Sequence, residues 1–422
     1  MARPESPRLL LLLPTTTYRA TAFVDTARGL GVDLTVASEF PSTFEREQPS
    51  GLLTLAFADP ARAAEQAAAF AREHPLTGVV GVDDDTAVVA AAVAERLRLR
   101  GNPMSAALAA RDKHQQRERL AAARVPVPRF AVYPSDADPD ALAREVGYPC
   151  VLKPLRLSAS RGVIRADDPA GFVAAFRRLG AILAQPDVAA CGEPARQVLV
   201  EEFIPGPEVA LEGLLVGGRL QVLAVFDKPD PLDGPFFEET IYVTPSRLAD
   251  SALRAIAATT QAAAAALGLV EGAVHAELRH NDRGPWLIEL AARPIGGRCS
   301  AALRFNGGEE RRGKGEVSLE EVIVRHALRM KLPALRREDR ASGVMMIPVP
   351  GGGELREVLG TEEARAVPLI EAVVITAHRG QRFVPLPEGS RYPGFIFARG
   401  DHPAQVETAL RESHRRLQFV VD

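Results

Sequence analysis

The sequence predicts a multidomain protein in which an α/β unit is followed by α+β units. Over the first hundred residues, short apolar runs alternate with helical stretches, which is the pattern of βαβ units around a parallel sheet. The prolines of Val125-Pro-Val-Pro128 cannot continue a helix and mark a boundary. Beyond this boundary strands and helices follow each other irregularly, which favours an α+β arrangement.

The α/β unit is predicted from its strands, its helices and the loops between them. The strands are expected at residues 8–13, 33–37 and 78–82, and the helices at residues 20–30, 60–73 and 86–98. The loops 14–18 and 83–85 follow strands at the edge where open α/β sheets bind ligands, and the second of them reads Asp83-Asp-Asp85. One further helix is predicted over residues 105–123.

The rest of the chain is predicted to alternate less regularly. Strands are expected at residues 129–133, 150–154, 162–165 and 197–203, with helices at 139–146 and 169–183. They are followed by strands at 208–216 and 219–226, a helix at 251–267, and a hairpin of strands 271–279 and 285–290 closed by the loop 280–284. The polar, glycine-rich segment 305–315 is predicted to be a loop, and short strands near 344–348 and 395–398 precede a final helix at 405–417.

The composition disfavours several classes of function. The 422 residues contain 51 Lys and Arg against 54 Asp and Glu, and the net charge of −3 is too balanced for a protein whose main partner is nucleic acid. Cys150, Cys191 and Cys299 form no CxxC pair, so we expect a reducing cytoplasm. No apolar run is long enough to span a membrane, and neither GxGxxG after the first strand nor GxxxxGK[ST] occurs, which disfavours dinucleotide enzymes and P-loop NTPases.

A lysine at the end of a predicted strand is the first candidate for binding chemistry. Lys153 ends an apolar strand, and a loop of small residues with Ser158, Ser160 and Gly162 follows it. A lysine beside a flexible loop of backbone N–H donors can cradle phosphate oxygens. The fragment alone is weak evidence for such a site, because strands often end on a solvated lysine.

Two carboxylates near the next strand end form a second candidate. The strand 197–203 runs into Glu201, and Glu208 follows seven residues later after Pro-Gly-Pro. An acceptor beside alternating backbone groups suits an amino-purine edge, and the later carboxylate suits a ribose diol. A charged strand end followed by a turn is the alternative that this fragment leaves open.

The predicted hairpin carries the most informative pattern. Alternation along the strand puts His275 and Glu277 on one face, and the hairpin can bring Glu289 opposite Glu277. Two carboxylates this close repel each other unless a cation such as magnesium bridges them to nucleotide phosphates. Arg293 follows four residues after Glu289, where a planar cation can bind a transferring phosphoryl group. A cross-strand pair of exposed glutamates is the alternative, and His275 fits a core position better than a general base.

These segments, in this order, resemble the ATP-grasp superfamily of carboxylate–amine ligases over essentially the whole chain. The resemblance implies an ATP-grasp fold with a Rossmann-like pre-ATP-grasp domain (1–110), a small lobe with its leading helix (111–205), a large lobe with the metal site (206–330) and a C-terminal α+β domain (331–422). It implies ATP-binding roles for Lys113, Lys153, the loop of Ser158, Ser160 and Gly162, Glu201, the backbone of Phe203 and Ile204, and Glu208, and metal binding by Glu277 and Glu289.

One position departs from the pattern of many family members. Where those members read Glu-x-Asn-x-Arg, this chain has Glu289-Leu-Ala291-Ala-Arg293, and an alanine cannot ligate magnesium. The number of bound magnesium ions is therefore open. The same variant, with a His-x-Glu strand before it, resembles the L-amino-acid (dipeptide) ligase branch, and the segment 343–397 resembles the extra domain of that branch.

The resemblance implies a cytoplasmic, ADP-forming ligase that uses ATP with Mg²⁺, or with Mn²⁺ in its place. A carboxylate, expected to be that of an amino acid, is activated as an acyl phosphate and then joined to an amine. Lys153 and Arg293 are the expected catalytic residues, and Glu239, Arg293, Gly296 and Gly297 are the expected substrate residues, with Phe236 or Phe237 at the side-chain pocket. No nucleic acid or membrane partner is expected, and the resemblance is compatible with a homodimer.

Two competing functions stay open at this point. A bicarbonate-activating enzyme of the biotin carboxylase or carbamoyl-phosphate synthase type shares the nucleotide residues, although Ala291 and the C-terminal segment fit it poorly. A nucleotide-binding module that has lost turnover is the other alternative, and Ala291 is the feature that supports it.

Overall fold

The computed structural model describes residues 6–15, 17, 19–307 and 316–422. It has the predicted fold class, with a parallel α/β unit followed by antiparallel sheets. Part of the predicted loop 14–18 and most of the predicted loop 305–315 lie outside the described residues.

The N-terminal unit is a four-stranded parallel sheet with helices packed on it. Its elements are β1 Arg8–Leu12, α1 Ala20–Gly29, β2 Asp33–Ser38, β3 Leu52–Thr54, α2 Pro60–Phe70, β4 Gly78–Gly81 and α3 Asp84–Leu97. The strand order is β3-β2-β1-β4, with every neighbouring pair parallel. Leucines 9–12 of β1 are fully buried because helices cover both faces of the sheet, which explains their uninterrupted apolar run.

The predicted helix over residues 105–123 is wrong in one respect, because it is two helices. Helix α4 is Met104–Arg111 and helix α5 is Lys113–Ala122. Asp112 between them has an extended backbone, and its side chain accepts hydrogen bonds from the N–H groups of His114 and Gln115, both at 3.2 Å. An aspartate that caps a new helix competes with helix continuation. As a result Lys113 stands at the first position of α5.

The second unit is a four-stranded antiparallel sheet. Its elements are β5 Phe130–Pro134, α6 Pro139–Leu142, β6 Cys150–Pro154, β7 Ile164–Ala166, α7 Pro169–Leu183, α8 Pro186–Ala189 and β8 Gln197–Glu202, in the strand order β5-β8-β6-β7. Helix α7 buries Phe172, Phe176 and Leu179 against this sheet. Strand β6 therefore holds Lys153 beside β8, whose Leu199 is its register partner.

The remainder of the chain is organised around one eight-stranded sheet. The elements are β9 Glu208–Val216, β10 Arg219–Lys228, β11 Ile241–Thr244, α9 Asp250–Leu267, β12 Gly272–Asn281, β13 Gly284–Ala291, α10 Leu319–Ala327, β14 Ala341–Met346, β15 Gly353–Leu359, α11 Thr361–Arg365, β16 Ile370–Ile375, β17 Arg382–Phe383, β18 Gly394–Gly400, α12 Pro403–Arg416 and β19 Gln418–Val421. The strand order is β13-β12-β9-β10-β11-β14-β18-β16, and β17-β15-β19 form a small separate sheet. The large sheet thus continues across residue 330, where the sequence predicts a domain boundary.

The β12–β13 hairpin has a tighter turn than the predicted loop 280–284. The strands continue to Asn281 and resume at Gly284, so that only two residues lie between them. The register places Glu277 directly opposite Glu289, as the alternation of the sequence predicts. Among the helices of the described residues, none is both long and apolar enough to cross a membrane.

Candidate active site

One cavity of about 360 Å³ lies where the three parts of the chain meet. It is lined by every predicted site residue except Gly162: Lys113, Lys153, Ser158, Ser160, Glu201, Phe203, Ile204, Glu208, Glu239, Glu277, Glu289, Arg293, Gly296 and Gly297. The N-terminal unit contributes residues that follow β1 and β4, including Arg19 and Asp84, and the C-terminal part contributes Met346 and Phe395. The predicted residues are therefore brought together across more than 180 positions of the sequence.

A buried group of three charges, here the Glu201 triad, consists of Glu201, Arg117 and Lys153. Arg117 Nε lies 2.5 Å from Glu201 Oε1, and Lys153 Nζ lies 2.7 Å from Glu201 Oε2. Burial alone would raise the pKa of Glu201, but the two cations outweigh this effect and lower it to about 2. Glu201 is therefore ionised at neutral pH, and both of its oxygens are engaged.

Lys113 joins the loop after β6 to the hairpin. Its Nζ donates to the carbonyl of Leu157 at 2.9 Å and lies 3.3 Å from Glu289 Oε1. The side chain is largely buried, so the ammonium is held at the cavity wall by both contacts. This placement follows from the helix start at Asp112, because a continuous helix would not expose the N-terminal end of α5 there.

The loop of Ser158 and Ser160 is anchored from the C-terminal part of the chain. Ser160 has a left-handed backbone, with φ of 55°, which costs a non-glycine residue about 1–2 kcal/mol. Gly162, which does not line the cavity, donates its N–H to the carbonyl of Pro387 at 2.8 Å. Next to this contact, Arg178 of α7 forms two hydrogen bonds with Glu388, at 2.7 and 2.9 Å. We call these contacts between the second unit and residues 387–388 the latch.

A second group of buried charges, here the Lys228 cluster, consists of Lys228, Arg279, Glu208, Glu239 and Glu277. Lys228 Nζ donates to Glu208 and Glu239 at 2.7 Å and to Glu277 at 2.8 Å. Arg279 Nε donates to the second oxygen of Glu208 at 3.0 Å. Three carboxylates thus share one ammonium and one guanidinium.

The carboxylates of the Lys228 cluster differ in their proton affinity. Burial raises the pKa of Glu239 to about 7, against the lowering effect of Lys228 and with a further rise from Glu277. The pKa of Glu277 is held well below its usual range, because Lys228 and His275 outweigh its burial. Two neighbouring acids with separated pKa values behave as a coupled pair, of which Glu239 binds the proton first.

The carboxylates that surround Lys228 are also the described residues that approach metal-ligand geometry. Ligand oxygens of Glu208, Glu239 and Glu277 lie within 4.8 Å of one another. Glu289 is outside this group, since its carboxylate faces Lys113, although it lies opposite Glu277 in the hairpin register. Of the two predicted metal ligands, Glu277 belongs to this group of three carboxylates and Glu289 does not. Glu277 contacts Lys228, and Glu289 contacts Lys113.

Arg293 extends from the end of the hairpin towards the N-terminal unit. Its Nε donates to Asp84 Oδ1 at 2.9 Å, and its Nη1 donates to the carbonyl of Pro294 at 3.1 Å. Nearby, His275 is buried, with its Nε2 at 3.4 Å from Glu277 Oε1 and its Nδ1 at 3.8 Å from Glu212 Oε2. Burial lowers the pKa of His275, which favours its neutral form.

The far end of the cavity combines a backbone strap with an apolar wall. Arg19 Nη2 donates to the carbonyl of Ile295 at 2.6 Å, and Glu212 accepts from the N–H of Ile295 at 3.1 Å. Gly297, with φ of 58°, lies against Met346, whose Sδ would clash with any Cβ at this position. The wall is formed by Tyr242, Cys299, Met346 and Phe395, whereas Leu232 and Phe237 line the cavity beside Arg279. Of the two phenylalanines named from the sequence, Phe237 lines the cavity and Phe236 packs into the core of the second unit.

Among the charged residues of the cavity and its supports, four that were not predicted from the sequence make central contacts: Asp84, Arg117, Lys228 and Arg279. Three of them carry a signal that was available. Arg117 is four positions after Lys113 on one helix face, Lys228 ends a strand as Lys153 does, and Arg279 shares a strand face with Glu277. Asp84 belongs to the aspartate run noted at the end of β4, but its partner is 209 residues away.

Models of known protein families match three segments of the chain. The ATP-grasp N-terminal domain matches residues 24–101, the ATP-grasp domain matches residues 146–302, and the L-amino acid ligase C-terminal domain 2 matches residues 345–422. The first and last matches bracket the ATP-grasp segment that carries most of the cavity residues.

Similar proteins with named activities include two ligases. Alanine–anticapsin ligase of Bacillus subtilis (strain 168) is 31% identical over 215 residues, which is 48% of this chain and 45% of the relative. Dapdiamide A synthase of Enterobacter agglomerans is 29% identical over 280 residues, which is 64% of this chain and 62% of the relative. The matched region thus spans about half the length of these curated relatives.

Among solved structures, the L-amino acid ligase from Bacillus licheniformis superimposes with a TM-score of 0.82 at 27% identity, covering all of both chains. The biotin carboxylase domain of Hydrogenobacter thermophilus 2-oxoglutarate carboxylase, at 16% identity and a TM-score of 0.65 over 98% of this chain and 90% of its own, shares the fold alone. The chain therefore contains an ATP-grasp domain, an ATP-grasp N-terminal domain and an L-amino acid ligase C-terminal domain.

Proposed function

We propose that this protein is an ATP-dependent ligase that joins the carboxylate of one amino acid to the amine of another through an acyl phosphate, releasing ADP and phosphate. The observation that carries the proposal is the single cavity, in which Lys113, Lys153 and Arg293 face the same space as Glu239 and the apolar wall. A phosphate-binding end and an amino-acid-binding end then lie within reach of one another, as acyl transfer requires.

The nucleotide would bind between the second unit and the large sheet. The Glu201 triad has two cations for one carboxylate, so Lys153 offers positive charge to a phosphate while its own position is fixed. The backbone of Phe203 and Ile204 would meet the adenine edge, and Glu208 the ribose. Lys113, Ser158 and Ser160 would bind the phosphates, and Gly162, whose N–H is engaged by Pro387, would hold this loop over them as part of the latch.

Glu277 and Glu289 would hold Mg²⁺, or Mn²⁺ in its place. The donor set fits a hard cation, because both residues offer carboxylate oxygens from directly opposite strand positions. The cation would neutralise the charge of the nucleotide phosphates. Ala291 offers no third ligand, and the position of Lys228 between Glu277 and Glu239 restricts the same carboxylates from serving a second ion.

The chemistry needs positioning and charge, and it needs no nucleophilic side chain. A carboxylate oxygen of the first amino acid attacks the γ-phosphorus of ATP, and the bond to the ADP oxygen breaks. The amine of the second amino acid then attacks the acyl carbon, phosphate leaves with the bonding electrons, and the amine loses a proton. Arg293 and Lys153 would stabilise the transferring phosphoryl group, while Glu239 would bind the ammonium of an amino acid and Gly296 and Gly297 its carboxylate.

The competing functions receive less support. The chain shares only the fold with the biotin carboxylase domain, and its C-terminal segment matches the ligase domain instead. A module without turnover would have no need for charged residues of three distant segments, Asp84, Lys113 and Arg293, at one cavity. The homodimer, the cytoplasmic location and the three domain boundaries given above stay predictions.

The test is phosphate release from ATP and Mg²⁺ against a matrix of paired L-amino acids. Single amino acids and bicarbonate alone serve as controls, and products are identified by mass. The proposal expects release that depends on particular pairs and a product at their summed mass less water. Release with bicarbonate alone would favour the carboxylase reading, and tight ATP binding without any release would favour the module.

A further inference from the structure

The three aspartates that follow β4, residues 83–85, make three different contacts, and the proposed function assigns a role to none of them. Asp83 caps helix α3 by accepting from the N–H of Thr86 at 2.8 Å. Asp85 is turned to the outside and pairs with Arg111. Asp84, between them, lines the cavity and accepts from Arg293 Nε at 2.9 Å.

The contact between Asp84 and Arg293 restrains the orientation of the Arg293 guanidinium group. A hydrogen bond at Nε opposes rotation of the guanidinium about its own stem, and the bond from Nη1 to the carbonyl of Pro294 at 3.1 Å defines its plane. The Arg293 side chain is only 13% exposed, so both bonds lie in a partly dehydrated setting. Such charge-assisted bonds are stronger and shorter than neutral ones.

The surroundings keep Asp84 in the form that can make this contact. The charged groups that face it are Arg293, Lys113 and Arg111, and Asp83 and Asp85 flank it in the chain. Burial raises its pKa, but the three cations lower it further, so that the carboxylate is ionised at neutral pH. Its position in the first turn of the 14-residue helix α3 also favours negative charge.

We propose that Asp84 is a positioning residue of the ligase, which holds the guanidinium of Arg293 in register with the transferring phosphoryl group. The inference rests on the proposed function. It assigns to the N-terminal unit an indirect part in catalysis, because the ATP-grasp segment supplies Arg293 but the N-terminal unit sets its orientation.

The experiment compares three substitutions in the full chain: Asp84→Ala, Asp84→Asn and the matched control Asp85→Ala. Asp84→Ala should lower kcat by about 10- to 100-fold, the scale of a misplacement near 1 Å, with KM for ATP unchanged. Asp84→Asn keeps an accepting oxygen and should lose less. Asp85→Ala removes an adjacent carboxylate that does not contact Arg293, and its kcat should stay at the wild-type value.

A double-variant comparison separates positioning from a general defect. Arg293→Ala alone should lower kcat by about 100- to 1,000-fold. If Asp84 acts only through Arg293, adding Asp84→Ala to Arg293→Ala produces no further loss. Multiplying losses, or an equal loss in Asp85→Ala, would overturn the proposal and indicate a defect of helix α3. A wild-type protein that forms no amide with any pair would sink the proposed function and this inference together, whereas wild-type turnover with an unimpaired Asp84→Ala would sink this inference alone.

Discussion

Two groups of buried charges face the same cavity with opposite net charge. In the Glu201 triad, two cations less one carboxylate leave a charge of +1. In the Lys228 cluster, three carboxylates against two cations leave a charge of −1 when all are ionised. The difference indicates which ligand group each side suits: anionic phosphate on the first side, and a cation or an ammonium on the second.

The largest difference is expected when each group loses its lysine. Lys228→Met should lower the free energy of unfolding by about 3–5 kcal/mol near pH 8, because buried carboxylates lose their shared cation. Lys153→Met should cost about 1.5–3 kcal/mol, since Glu201 keeps Arg117. Urea unfolding of both variants without ligand measures the two values. Equal losses of unfolding free energy would contradict the proposed difference in net charge between the two groups.

The Mg²⁺ dependence of phosphate release tests which carboxylates of the negatively charged side bind a cation. Glu289→Gln should raise the Mg²⁺ concentration for half-maximal phosphate release by at least about tenfold, the equivalent of roughly 1.4 kcal/mol. Glu118→Gln, an exposed change on α5, serves as the control. If Glu208→Gln shifts the metal response more than Glu289→Gln, the ion is held by the acidic group around Lys228 and the hairpin pair is the wrong assignment.

The two groups should also differ in the sign of their pH dependence. The pKa of Glu201 lies at about 2, below its usual 4.5, so its stabilisation is present above pH 4.5 and is lost as the pH falls through 2. The pKa of Glu239 lies at about 7, so its stabilisation is present below pH 4.5 and is lost as the pH rises through 7.

The variant Glu239→Gln tests this sign. Relative to it, the wild-type protein should lose unfolding free energy between pH 4.5 and 7, by no more than about 1.4 kcal/mol per pH unit for one proton. Urea unfolding at several pH values across this window measures the difference. If the wild-type protein instead loses unfolding free energy relative to Glu239→Gln as the pH falls, the pKa of Glu239 is lowered and not raised.

The smallest effect is expected at the latch, which lies outside both groups. Arg178 and Glu388 are partly exposed, and such a pair contributes about 0.2–1 kcal/mol. Glu388→Ala should therefore shift loop closure by no more than about fivefold, seen as more phosphate released for each amide formed. The double charge reversal Arg178→Glu with Glu388→Arg should restore the wild-type ratio. If the double charge reversal also releases more phosphate for each amide formed, the ion pair between Arg178 and Glu388 does not hold the loop closed.

The sequence is most informative where chemistry follows a local period. The opposition of Glu277 and Glu289 follows from strand alternation, and the structure has this register. The single helix predicted across Asp112 is wrong because the Asp112 side chain accepts backbone hydrogen bonds that start a new helix, and sequence periodicity does not distinguish this from a position inside a continuous helix. The contact of Asp84 with Arg293 and the sharing of Lys228 by carboxylates of two strands and a loop depend on how distant segments pack, and no period in the chain encodes them.

The continuity of the eight-stranded sheet has a consequence for recombination. Strand β14 pairs with β11, which follows the segment that carries Glu239, and it ends at Met346 beside Gly297. An exchange of everything after residue 330 between related chains would therefore replace three of the eight strands of one sheet and, with them, part of the apolar wall. The exchange would also replace Pro387 and Glu388 of the latch, whereas the Glu201 triad would be left unaltered. We expect functional chimeras only when the β11–β14 register of Ile241 with Met345 is preserved, and in those chimeras the preferred side chain should shift towards that of the chain that donates Met346 and Phe395.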